Sequence, residues 1–171
     1  MTSTSFALIA GIAYVGAGVA GLLPIFLSPP PIGAPETQFT FLYGYLFGLF
    51  PVNIAHSAVH MVIGLWGLSA AAGAASTTRY ARALAVFYGA LAVMGVLPEF
   101  NTFFGLLPLH SHDVWLHGAT AAAAAYFGWR ARSRGDDRRG AIDRRQLMEP
   151  VHTERRQRVG DRRRGWDMHP A

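Results

Sequence analysis

Apolar and small residues run almost unbroken from Met1 to Trp129, with only five formal charges among them: Glu36, Arg79, Arg82, Glu99 and Asp113. A membrane-spanning helix needs about 20 mostly apolar residues, and four stretches supply them. The first covers 6–27. It lacks the basic leader of a signal peptide and is longer than a typical signal core, so it is expected to remain as an uncleaved span. The third covers 80–98. The second and fourth each follow Phe-Gly-Leu-x-Pro, and proline suits the first position of a helix. The pattern therefore predicts helices over 51–73 and 108–130. The expected fold class is all-α, an integral membrane four-helix bundle over 1–130.

Segment 36–50, which separates the first two spans, is rich in aromatic residues. Three readings stand for it: a short helix lying in the membrane interface, a cap on the bundle, or an outward extension of helix two.

From Arg130 the pattern inverts. Arginine and acids dominate and large apolar residues become scarce. High charge without apolar bulk predicts a disordered, basic tail over 131–171. All fifteen basic residues of the chain are arginine, and there is no cysteine. The missing cysteine excludes disulfides, thiolate metal sites and a cysteine nucleophile. Arginine also orients the spans. Arg79 and Arg82 lie in the stretch 74–82, where the second span gives way to the third, the tail carries the rest, and the other two loops carry none. Positive residues stay on the cytoplasmic side, so both termini are expected there, in the inner membrane of a bacterium. Arg130, Arg132 and Arg134 would then meet the anionic lipids of the inner leaflet. Acids interspersed with the arginines argue against a nucleic-acid partner.

The two halves align without gaps. Phe47-Gly48-Leu49-Phe50-Pro51-Val52-Asn53 matches Phe104-Gly105-Leu106-Leu107-Pro108-Leu109-His110. In the same register His56 meets Asp113 and His60 meets His117. The preceding spans align through Gly21-Leu22-Leu23-Pro24 and Gly95-Val96-Leu97-Pro98, which brings Tyr14 opposite Tyr88. The expectation is two helical hairpins used as parallel repeats, related by a pseudo-two-fold axis along the membrane normal.

Polar residues in the second and fourth spans follow the helical period. Asn53, His56 and His60 share one face, as do His110, Asp113 and His117. Small residues continue both faces, and Ala7, Gly11, Tyr14, Gly18 and Gly21 form a matching line on the first span. Small residues allow close helix approach in lipid. With helices starting at Pro51 and Pro108, His60 and His117 would lie about 14 Å below the outer ends, near the bilayer centre. Ionisable groups at such depth face the bundle interior and have partners. His56, His60, Asp113 and His117 are the candidate ligands for a metal or a haem. Asn53, His110, Tyr14 and Tyr88 would support them. A purely structural hydrogen-bonded cluster is the plainer alternative.

The string Gly48-Leu49-Phe50-Pro51-Val52-Asn53, then His56, His60 and Gly64, resembles a bacterial four-helix membrane family. So does Phe104-Gly105-Leu106-Leu107-Pro108, followed by Asp113, Leu116, His117 and Gly118. That family is catalogued as domain of unknown function 4383. The resemblance covers about 6–129, implies four spans and implies no established activity. His110 stands where the resemblance calls for asparagine.

No nucleophile motif, phosphate loop or dinucleotide fingerprint occurs, so the chain does not read as an enzyme. Three functions fit the pattern: a membrane protein with a structural or metal- or haem-binding cluster, a small proton-linked transporter or channel subunit, and an oxidoreductase subunit binding haem or quinone. Four helices enclose little pore, so transport would call for a homo-oligomer.

Overall fold

The computed structural model describes residues 1–130; the expected tail, with Arg132 and Arg134, lies outside the described residues. Four helices dominate: α1 (Ser3–Gly21), α2 (Ile54–Ala71), α3 (Thr77–Val96) and α4 (His112–Arg130). The helical class agrees with the expected all-α fold. Between α1 and α2 the chain also forms three short strands, β1 (Leu27–Ser28), β2 (Gly44–Leu46) and β3 (Phe50–Val52), in an antiparallel sheet ordered β1-β2-β3.

Local chemistry explains the boundaries and corrects the expected ones. Helix α1 stops at Gly21 rather than running to Leu27, because Pro24 opens a separate 3-10 turn. Helix α2 does not start at Pro51. That residue sits in edge strand β3 opposite Tyr45, where a missing N–H is tolerated. Asn53 is extended, and its side chain accepts a hydrogen bond from the His56 N–H at 2.9 Å. An asparagine cap has won over proline as the start signal. Helix α3 starts at Thr77, before the expected Tyr80, because Ser76 caps it. Its end at Val96 precedes Pro98, in keeping with proline's effect on the residue before it. Helix α4 starts at His112, four residues after Pro108. Ser111, with φ +62°, breaks the backbone between them.

Segment 36–50 is not helical. It holds turns and β2, and its buried Thr37, Tyr45 and Leu46 make it a cap. The turn joining β2 and β3 places Phe47 and Gly48 at φ +54° and +73°. Phe104 and Gly105, at the matching place in the second half, have φ +58° and +83°. Positive φ is uncommon for a bulky residue, yet phenylalanine adopts it at both places.

Helix α1 packs along α2, and α3 along α4; the seams between these two hairpins are looser. Gly11 and Gly64 allow α1 and α2 to approach closely. A Cβ on Gly64 would meet the Val15 backbone nitrogen at 2.6 Å, and one on Gly11 the Leu68 nitrogen at 2.8 Å. The core runs along α3 through Tyr80, Leu84, Tyr88 and Leu91. The outward faces carry exposed apolar residues, including Ile12, Val62, Val86 and Trp115. Among the described residues, α1 and α2 are long and apolar enough to cross a membrane.

Candidate metal centre

The helical period puts His56 and His60 one turn apart on α2, and Asp113 and His117 one turn apart on α4. The fold turns both faces inward. His56, Asp113 and His117 are each no more than 3 % exposed. The His56 ring lies 4.6 Å from that of His60 and 6.1 Å from that of His117, between centroids. One ligand nitrogen from each of the three histidines falls within 4.8 Å of the others. Nitrogens on a tetrahedral zinc-like ion, at about 2.0–2.1 Å from it, are spaced by roughly 3.4 Å. Modest side-chain rotation closes that gap. Asp113 Oδ2 stands 3.8 Å from His56 Nδ1, close enough for the carboxylate to serve the same ion as a further ligand.

The cluster's own polar atoms are not satisfied by one another. Among the described residues, Nδ1 of His56, His60 and His117 and Oδ2 of Asp113 are buried without a hydrogen-bond partner. Each such orphan costs about 1–3 kcal/mol. Four orphans gathered in one place call for a shared partner.

The depth differs from the expected one. Counted from the observed helix starts at Ile54 and His112, His60 and His117 lie about 8–9 Å from the N-terminal ends of their helices. The cluster therefore sits in the half of the helices next to the sheet and its loops.

A family model described as domain of unknown function (DUF4383) matches residues 5–130. The chain belongs to this family. No curated protein and no solved structure matches it.

In this DUF4383 chain the expected supporting residues divide. Tyr14 and Tyr88 meet across the hairpins, their rings stacked with centroids 5.3 Å apart and planes at 14°. Tyr14 also lies 5.4 Å from the His60 ring, and Tyr88 lies 5.1 Å from that of His117. Together they close the inner side of the cluster. Asn53 is not a ligand candidate. Its oxygen caps α2, and its nitrogen donates to the Phe39 carbonyl at 3.1 Å and the Leu106 carbonyl at 2.9 Å. That uses both ends of the amide as a clasp between the loops of the two hairpins.

His110 does not join the three histidines. It belongs to the cap, with Nδ1 3.4 Å from the Tyr45 hydroxyl. Burial pushes the Tyr45 phenol above its ordinary pKa, and the Asp113 charge adds to this. Tyr45 therefore stays a neutral partner for the imidazole. Arg130 lies over the Tyr126 ring at 4.7 Å.

Two further residues escape a reading from the sequence. Tyr45 could be paired with His110 only once the sheet is known. Thr120 lines a cavity that His117 also lines; its place three residues after His117 on α4 is a signal the sequence did carry.

Proposed function

We propose that this protein spans the bacterial inner membrane four times with both ends cytoplasmic, and that it binds a divalent transition-metal ion through His56, His60 and His117. The membrane reading is supported by the inversion of the usual surface. Val62 and Val86 are each 67 % exposed, while Asp113 and two histidines of the cluster are buried. Apolar faces of that kind suit lipid, and intramembrane ionisable groups face the bundle interior. The two highly apolar helices agree with this. Arg79 and Arg82 at the start of α3 and Arg130 at the end of α4 mark the cytoplasmic side. There Arg130, with Arg132 and Arg134, would meet anionic lipid.

Two parallel repeats fit the same reading, supported by the matched positive-φ Phe-Gly pairs and the Tyr14–Tyr88 stack.

The metal reading rests on one observation: three imidazoles gathered within 4.8 Å, with orphaned nitrogens, beside an orphaned carboxylate oxygen. Three neutral imidazoles and one carboxylate leave a divalent ion with a single net positive charge, a tolerable burden in a buried site. The donor set suits zinc, iron, manganese or copper. Rings packed at 4.6 and 6.1 Å leave no slot between them for a macrocycle, which favours an ion over haem.

The test is metal analysis of protein purified from its native membrane, alongside the variant His60→Ala/His117→Ala. One ion per wild-type chain, lost from the variant, is expected. Equal and negligible metal in both would end the reading.

A further inference from the structure

The pseudo-two-fold gives the bundle two equivalent seams, α1/α4 and α2/α3, and their linings differ. In the repeat register, Leu84, Phe87, Ile63 and Trp66 line the α2/α3 groove. Their counterparts Ala10, Ala13, Thr120 and Ala123 line the α1/α4 seam. Four large apolar side chains in one seam correspond to four small ones in the other. The α2/α3 groove, about 500 Å³, is lined by apolar residues and tryptophan and includes no member of the cluster.

The α1/α4 seam is open to it. One cavity of about 280 Å³ reaches from Phe6 to His60, Asp113 and His117. A second of about 310 Å³ continues past Ala17 toward Phe47 and Phe50 in the cap, and also touches His60 and Asp113. The two share Ala13, Ala17, His60, Asp113 and Leu116. They therefore adjoin along the seam, and together they have the size that holds a small organic ligand. Exposed Ala13, Leu116 and Ala123 leave its side open. Asp113, 3 % exposed, presents a carboxylate oxygen without a hydrogen-bond partner among the described residues, and the His60 ring lines both cavities.

We propose that the α1/α4 seam admits a quinone from the bilayer and seats its head against His60 and Asp113. This rests on reading the cluster as a binding centre. Apart from the cluster, Tyr14 and Thr120, the lining is apolar. That pattern fits a small polar head on a hydrocarbon tail. The head must be uncharged, because a phospholipid headgroup would pay heavily to sit among apolar helices. It must also accept and donate hydrogen bonds. A quinone carbonyl accepts from an imidazole N–H, and a quinol hydroxyl donates to a carboxylate. A flat ring matches the space beside the Tyr14 and His60 rings, which lie 5.4 Å apart at 46°.

The experiment uses the full chain in lipid nanodiscs, with decylubiquinone as the probe and protein-free discs as the blank. Saturable binding of one quinone per chain is expected, with no displacement by excess decanol. Ala10→Leu/Ala13→Phe installs the side chains of the other seam and should weaken binding more than about tenfold at unchanged metal content. Thr120→Ile, which copies Ile63, should weaken it with less change in packing and serves if the double variant does not fold. Phe87→Ala, in the other seam, should leave binding unaltered.

Absence of saturable binding in the wild type, full displacement by decanol, or unchanged affinity in folded seam variants would overturn the proposal. Metal lost from the His60→Ala/His117→Ala variant without any quinone binding by the wild type would remove the portal alone. Quinone binding in a protein that holds no metal would remove the metal reading alone.

Discussion

In the first hairpin the Phe-Gly-Leu-x-Pro strip leads into Asn53, which caps α2 and clasps Leu106 of the second hairpin. In the second hairpin the same strip leads into His110, and α4 begins two residues later, beyond a left-handed serine. A short amide can turn back onto the N–H three residues on; an imidazole at that place instead pairs with Tyr45. The helix contacts differ in the same direction. Gly11 and Gly64 bring α1 and α2 into backbone contact, where the register places Ala85 and Ala121 in α3 and α4. The first hairpin thus makes its helix contact through glycine and clasps the loops through Asn53. The second supplies the cluster's only acid, Asp113, where the first has His56. Two hairpins that share a sequence pattern divide anchoring and chemistry between them.

The contrast in packing should give the largest effect. Gly64→Ala drives a methyl group against the Val15 backbone and should cost about 1–3 kcal/mol. The reciprocal change Ala121→Gly should cost about 1 kcal/mol or less. Thermal unfolding of both in detergent measures the difference, and equal shifts would mean the hairpins are packed alike.

The contrast in chemistry comes next. Asp113→Asn removes the charge beside His56 and should weaken metal binding about 10–100-fold with the fold intact. Competition against a chelator reads this directly; an unchanged affinity would make Asp113 a bystander.

The contrast in capping should be smallest. Asn53→Ala loses a helix cap, for about 1–2 kcal/mol, and releases the carbonyls of Phe39 and Leu106, both exposed residues. His110→Ala, which removes one long hydrogen bond, should cost less than half of that. Urea or thermal melts would rank them, and a larger loss at His110 would reverse the assignment of anchor and partner.

Most of the helical architecture was legible in the chain. The apolar runs located all four helices, and the i, i+4 spacing put the histidines and Asp113 on inward faces. The strip of small residues on α1 was also readable, since Ala7, Gly11, Gly18 and Gly21 are all buried. Helix starts were misread at Pro51 and Pro108. Proline is permitted at a helix start, but it is equally at home on a strand edge, and only the pairing of Pro51 with Tyr45 decides between them. The error moved the cluster: starts three or four residues later shift His60 and His117 toward the N-terminal ends of their helices. His110 shared the period of Asp113 and His117, yet period has meaning only inside a helix, and α4 begins after it.

What the sequence by itself determined was which residues are helical, which faces they turn inward, and that two histidines from α2 meet an acid and a histidine from α4. Those follow from local periodicity and from the cost of burying polar groups among apolar ones. What only the tertiary structure decided was the cap, the clasp at Asn53 and the difference between the two seams. Each of these depends on contacts between residues far apart in the chain, and on whether small or large side chains come to face one another across a gap that no local pattern specifies.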